Sequence, residues 1–330
     1  MKPYDYAGLR LSRDIHNDTG VLLLSARTLL TYKEIELLIR QNIALKAGDV
    51  KQATTVQLID DAIKEINEAF GDKEDGGPIP CDSIHDRIVP MIVQMSRHAC
   101  LTSFWEHLIL HDEYTSRHSI GVALMSRLIG KAMGLNEENL TELTVAGFLH
   151  DIGKVGIPQE IINKPGKLTT SEYERMKSHT TYGFDMMKNT KGITNRQALV
   201  ALQHHEREDG SGYPYGLKGD QIDPFSKIVA IADVFHAMIS SRVYKKPIPF
   251  YTVLREISRQ AYHSLDAAAS LCFLKRVMEM MVGNKALLSS GDEATIIMLN
   301  PDDPVHPLVE VNGRYIDLSK ERSVQLECIV

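Results

Sequence analysis

FLHDIGKVGIP, residues 148–158, ends an apolar helical run, LTVAG at 143–147, with a histidine beside an aspartate. That pair sets a neutral imidazole next to a carboxylate whose two oxygens can bridge two cations. Alone, it reads as an ordinary exposed helix end with Gly153 as its terminator. Its neighbours change the balance. HHEREDGSGYP at 204–214 places two consecutive histidines at the end of a second helix, where successive side chains diverge by about 100° and so serve different sides of one site. Asp233 lies inside an otherwise apolar helix, IVAIADVFHAMI at 228–239, and a buried carboxylate is costly unless it is ligated, paired or protonated. His118, in YTSRHSIGVAL, and His179, in MKSHTTYGF, sit on two further helical stretches. Either alone is more often a hydrogen-bonded structural residue, but five histidines and two aspartates together form a bimetal constellation.

This set closely resembles the HD-GYP family, a branch of the HD metal-dependent phosphohydrolases. The likeness rests on His118, His150-Asp151, His179, His204-His205 and Asp233, together with NKPGKLT at 163–169, GSGYP at 210–214 and SRVYK at 241–245. It covers roughly residues 105–282, and the motifs occur in order. The resemblance implies an HD-type helical bundle in which His118, His150, Asp151 and Asp233 hold one metal and His179, His204 and His205 the second, with Asp151 bridging. Two divalent ions are implied, iron or manganese first, with zinc tolerated by the same imidazole and carboxylate donors. Some members carry a glutamate one helical turn before the first histidine and hold a third metal there. This chain has Tyr114 instead, with Glu113 about 100° around the helix and Asp112 nearby, so two metals are expected.

The implied activity is hydrolysis of cyclic di-GMP to pGpG, with GMP as the alternative end product, which lowers a second messenger that governs motility and biofilm formation. Two cations and two ligating aspartates leave a net charge of about +2, enough to draw in a phosphodiester anion. A metal-bound hydroxide then attacks phosphorus in line with the departing ribose 3′-oxygen. Asp151 and Lys154 carry the catalysis on this reading, with Lys154, Gly212, Tyr213, Pro214, Arg242 and Lys245 contacting substrate. Gly210 and Gly212 allow backbone angles closed to other residues, and Tyr213 can stack on a guanine or donate to a phosphate. Glu206 and Asp209 either orient the histidine pair or cap the loop. His236 and His263 read as structural, and His16, His85, His98, His107, His111 and His306 have no site role. The rivals are an HD phosphohydrolase for another cyclic dinucleotide or nucleotide, and a non-catalytic receptor or adaptor for cyclic di-GMP. A diguanylate cyclase or other signalling protein, or a second copy of the chain, would be the protein partner.

Composition agrees with a globular enzyme. The 330 residues carry 37 Lys plus Arg against 43 Asp plus Glu, a net charge of −6, with 43% apolar and 24% charged residues. No basic block offers the counterion release on which duplex nucleic-acid binding depends. Cys81, Cys100, Cys272 and Cys328 form no CxxC pair, so a reducing, cytoplasmic setting is expected. No signal core and no run of about 18 apolar residues for a membrane span is visible.

The expected architecture is mainly α. A small α+β unit of unknown role spans residues 1–80, with a hairpin from 9–15 to 21–24 around NDTG, helices at 31–41 and 55–70, and a linker at 71–80. The helical phosphohydrolase domain spans 81–284. Residues 285–330 form a β extension, with strands at 294–300, 308–311, 314–318 and 324–330 and a turn at Asn312-Gly313. The N-terminal hairpin and this extension have the patterning to pair in one small sheet.

Overall fold

Helices built on three- and four-residue apolar spacing make up most of the chain, in a computed structural model that describes residues 3–51, 53–70, 78–98, 114–240 and 249–329. The mainly α reading holds. One large core joins helices Thr55–Phe70, Val89–His98, Tyr114–Ala132, Glu137–Leu149, Asn195–Gln203, Pro224–Ile239, Phe250–Gln260 and Ala267–Glu279. Helices Tyr114–Ala132, Glu137–Leu149 and Pro224–Ile239 are buried around most of their circumference, through residues such as Ile120, Leu124, Val145, Phe148, Ile231 and Phe235. Such burial marks central helices of a bundle.

The helices that deliver the candidate ligands have well-defined starts. Asn136 accepts from the Asn139 amide ahead of Glu137–Leu149, and Thr194 and Gln197 form a reciprocal capping box ahead of Asn195–Gln203. Asp223 caps Pro224–Ile239, with proline at its first turn. Each cap contributes about 1 kcal/mol and fixes the register at which the far end of its helix arrives.

The C-terminal residues form a five-stranded antiparallel sheet in the order Arg314–Asp317, Leu308–Val311, Glu293–Met298, Lys285–Leu288, Leu326–Ile329. Asn312 and Gly313 have φ of 50° and 81°, the paired positive angles of a tight hairpin turn. Strand Lys285–Leu288 is not expected from the sequence, because KALL runs through consecutive apolar residues and shows no alternation. Among the described residues the N-terminal hairpin, whose patterning would allow it to join this sheet, does not pair with it. Arg10–Leu11 pairs with Val50–Lys51, and Ile15–His16 pairs with Leu22–Leu24, as two separate ladders. The reason is where each apolar face goes. Leu9, Leu11 and Ile15 close a small core of their own with Leu30, Ile35 and Leu38. Ala286, Leu288, Ala294, Ile296, Val309 and Leu326 instead belong to the large helical core. Helix Thr55–Phe70, on the N-terminal side of the expected linker, also packs into that core. No described helix is long and apolar enough to cross a membrane.

Candidate metal centre

Five segments converge on one buried point. His118 comes from the second turn of Tyr114–Ala132, His150 and Asp151 from the end of Glu137–Leu149, and His179 from the start of helix His179–Lys188. His204 and His205 follow Asn195–Gln203, and Asp233 lies in the middle of Pro224–Ile239. His118, His150, His179 and His204 are almost fully buried, as are both aspartates.

The donors fall into two groups around Asp151. On one side, His118 Nε2 lies 3.2 Å from His150 Nε2 and 3.2 Å from Asp233 Oδ1. Asp151 Oδ2 lies 3.5 Å from His118 Nε2 and 3.3 Å from His150 Nε2. On the other side, Asp151 Oδ1 lies 3.3 Å from His179 Nε2 and 3.7 Å from His204 Nε2, and those two nitrogens are 3.4 Å apart. His205 completes this second group, in which the ligand atoms of Asp151, His179, His204 and His205 all lie within 4.8 Å of one another, and its Nδ1 also stands 3.9 Å from Asp233 Oδ2 in the first. Ligands bound at about 2.0–2.2 Å to one cation stand roughly 3.0–3.5 Å from each other, the spacing of most donor pairs here, with His204 to Asp151 at 3.7 Å and His150 to Asp233 at 3.9 Å somewhat wider.

Two observations test whether these residues suit divalent cations. Asp151 Oδ1 is buried with no hydrogen-bond partner among the described residues, a cost that a bound cation would remove. The imidazole orientations are also fixed from behind. His150 Nδ1 donates to Gly147 O at 2.8 Å, His179 Nδ1 to Met176 O at 2.7 Å, and His204 Nδ1 to Ala201 O at 3.0 Å. Each bond leaves an Nε2 lone pair aimed into the centre, the arrangement metal-binding histidines use. The set fits a divalent metal site.

The electrostatics of Asp151, Asp233, His179 and His205 point the same way. Burial would raise the Asp151 carboxyl, but Lys154, His150 and His118 outweigh it and hold the group well below the usual carboxylate range. Asp233 is likewise held low against burial, chiefly by His118. Burial lowers His179 to about 4 and takes His205 well below its ordinary value, where neighbouring His204 lowers it further. Both are therefore neutral near pH 7, with lone pairs free for a cation. In His118 burial is outweighed by Asp151 and Asp233, and its value rises.

Lys154 Nζ lies 2.5 Å from Asp151 Oδ2. The chain reaches it through a 3-10 turn, Ile152–Gly156, rather than through another α-turn. Gly153 is not the helix terminator: its φ is not positive, and a Cβ there would lie 1.9 Å from His179 O and 2.4 Å from Gly183 N. Its small size lets the Asp151 turn press against the His179 helix.

The GSGYP loop lies over the second group. Tyr213 stacks on His205, with ring centroids 4.6 Å apart at 30°, and meets Tyr173 edge-on at 6.3 Å. One face of the tyrosine is thus occupied by the imidazole rather than open to a base. Burial, then Tyr173, raises its phenol above the ordinary value. Gly210 has φ of 80°, whereas Gly212 is needed for closeness: a Cβ would stand 2.4 Å from His205 O. Glu206 accepts from the Tyr215 amide at 2.8 Å and the Leu217 amide at 2.9 Å, and Asp209 accepts from the Ser211 amide and hydroxyl. Of the two roles open to them, both shape the loop. The Tyr213-Pro214 peptide is cis.

Arg242 and Lys245 lie outside the described residues, as do Asp112 and Glu113, and so does the side chain of Tyr114. Two neighbours escaped the sequence reading. Lys177 Nζ lies 5.9 Å from the Tyr213 ring centre, signalled only by its place two residues before His179. His236, read as structural, lies against His118 with Nδ1 atoms 3.1 Å apart. Its signal was the three-residue spacing from Asp233.

Comparison with known proteins follows the same lines. A family model described as HD domain matches residues 94–269, just over half of the chain. A cyclic di-GMP phosphodiesterase of Thermotoga maritima is 49% identical over 170 residues, 51% of this chain and 46% of that protein. The cyclic di-GMP phosphodiesterase PA4108 of Pseudomonas aeruginosa is 31% identical over 242 residues, 73% of this chain and 58% of that protein. The chain therefore spans about half the length of the curated relatives it matches. Among solved structures, Bd1817, an HDG"Y"P protein from Bdellovibrio bacteriovorus, has a TM-score of 0.51 at 14% identity, over 81% of this chain and 94% of that one. That is a likeness of fold.

Proposed function

The chain belongs to the HD domain family, and from that membership we propose that it is a binuclear metal-dependent phosphodiesterase that hydrolyses cyclic di-GMP to pGpG. The observation that carries the reading is Asp151, whose two oxygens face two separate donor groups while one of them has no hydrogen-bond partner among the described residues. His118, His150, Asp151 and Asp233 would hold one cation, and Asp151, His179, His204 and His205 the other. Iron or manganese suits seven imidazole and carboxylate ligands without a thiolate. When bound, the two cations supply positive charge, Lewis acidity and an activated water for attack on phosphorus.

The protein's own part is to hold these donors in place and to position substrate. Asp151 stays ionised, and His179 and His205 stay neutral, across the physiological range. Lys154 keeps one N–H on Asp151, and an ammonium has three donors, so it can contact a phosphate oxygen beside the centre. The loop anchored by Glu206 covers His205 with Tyr213, and Gly212, Tyr213 and Pro214 are proposed as its contacts to substrate. Arg242 and Lys245 are proposed as cationic contacts to phosphate or guanine, on the motif alone. The relatives named as cyclic di-GMP phosphodiesterases support this substrate. We place the enzyme in the cytoplasm, where that messenger is made and read.

The test is chromatography of products from manganese- or iron-loaded protein given cyclic di-GMP, cyclic GMP-AMP and cyclic di-AMP in parallel. Cyclic di-GMP should be converted to pGpG fastest. Faster turnover of another dinucleotide would reassign the substrate, and tight binding without turnover of any would make the chain a receptor.

A further inference from the structure

We propose that His236 is a positioning residue for the cation held by His118. Its Nδ1 accepts the hydrogen on His118 Nδ1 and so fixes the His118 Nε2 lone pair on the metal. This deepens the binuclear reading and rests on it.

His118 is the exception among the imidazoles whose Nε2 faces the centre. The other three donate Nδ1–H to main-chain carbonyls of Gly147, Met176 and Ala201. Those carbonyls lie at the C-terminal ends of helices, where the last four have no intrahelical partner. His118 sits instead in the second turn of Tyr114–Ala132, where the preceding carbonyls accept the helix's own amides. Its Nδ1 faces a side chain, His236 Nδ1, at 3.1 Å.

Geometry fixes which nitrogen donates. The His118 Nε2 lone pair belongs to the centre, 3.2 Å from Asp233 Oδ1, so Nδ1 carries the hydrogen and His236 accepts. Ser240 Oγ, a second donor, lies 3.1 Å from the same His236 nitrogen, which agrees with that nitrogen being the unprotonated one. Asp233 and His236 are three residues apart on one helix and therefore share a face. Between them they hold the His118 ring at both nitrogens. Space for this is cut into the opposite helix at Gly121, three residues after His118. A Cβ at Gly121 would lie 2.2 Å from His236 Cδ2 and 2.3 Å from its Nε2.

Equilibrium dialysis against Mn²⁺, with metal counted per chain, tests this in wild type, His236→Leu and His236→Asn. Loss of an outer hydrogen-bond partner usually weakens metal affinity about 10- to 100-fold. His236→Leu keeps bulk without an acceptor and should weaken one of the two equivalents by that factor. His236→Asn restores an acceptor near the Nδ1 position and should bind both within a few-fold of wild type. Gly121→Ala, which leaves both imidazoles in the chain but fills the space, should resemble His236→Leu. A His236→Leu variant that binds both equivalents as wild type does, or a His236→Asn variant as impaired as His236→Leu, overturns the inference. A wild-type chain that fails to bind two equivalents overturns the binuclear reading itself, and this inference with it.

Discussion

Replacing Asp151 by alanine is expected to lower hydrolysis by at least about 10³-fold, the scale seen when one member of a group acting as a unit is removed. The metal content should fall from two per chain to one or none. The size of the effect follows from position. Asp151 offers one oxygen to each donor group, at 3.3 Å from His150 Nε2 and 3.3 Å from His179 Nε2, whereas Asp233 is close to the first group and reaches the second only at 3.9 Å from His205 Nδ1. Without it the two groups lose the carboxylate that lies closest to both, Lys154 loses the carboxylate it contacts, and the negative charge that offsets two adjacent cations is halved. The helical fold should survive, since the residue follows a helix end rather than packing in the apolar core. Chromatographic assay, metal analysis and circular dichroism on one preparation check all three, and retained hydrolysis at a tenth of the wild-type rate would contradict the assigned role.

Gly153→Ala is expected to cost more stability than most substitutions in the chain, although it adds one methyl group. The new Cβ would stand 1.9 Å from His179 O and 2.4 Å from Gly183 N. Both are main chain, so neither can move without shifting helix His179–Lys188 or the 3-10 turn Ile152–Gly156. Overpacking of this kind costs about 3 kcal/mol or more where the backbone must give way, or roughly 5–10 °C in the unfolding midpoint. The same displacement carries His179 away from Asp151 Oδ1, so the second cation should bind more weakly. Thermal unfolding followed by circular dichroism on metal-free protein reads the first effect and manganese binding the second. A midpoint within about 2 °C of wild type, with two cations still bound, would show that the close approach is not needed.

The candidate site was legible in the sequence because its chemistry is expensive to bury. A histidine-aspartate pair after an apolar helix, two adjacent histidines and an aspartate inside IVAIADVFHAMI each need a partner, and the fold brings them to one point. What stayed hidden depends on contacts between distant segments. Gly153 and Gly121 look like any helix-end or mid-helix glycine until the backbone or side chain opposite each is known. The sequence allows Tyr213 to stack on a guanine or donate to a phosphate, and that His205 lies against one face of its ring is a proximity no local pattern encodes. His236 resembles a satisfied core histidine, and only its distance to His118 separates the two readings.

The fold shows the same division. Helix Thr55–Phe70 matches its expected bounds, because sixteen residues give several turns of periodicity. Lys285–Leu288, KALL, does not alternate, whereas the equally short Leu308–Val311 lies next to the Asn312-Gly313 turn. Which strands pair across the chain is set by the core each apolar face enters, so the two small N-terminal ladders and the five-stranded sheet had to be found in three dimensions.

The most direct test of the central claim is the number of cations one chain holds through Asp151. Equilibrium dialysis against Mn²⁺ should give two per wild-type chain and one or none for Asp151→Ala. One cation per wild-type chain, or three, would contradict a binuclear centre bridged by that carboxylate.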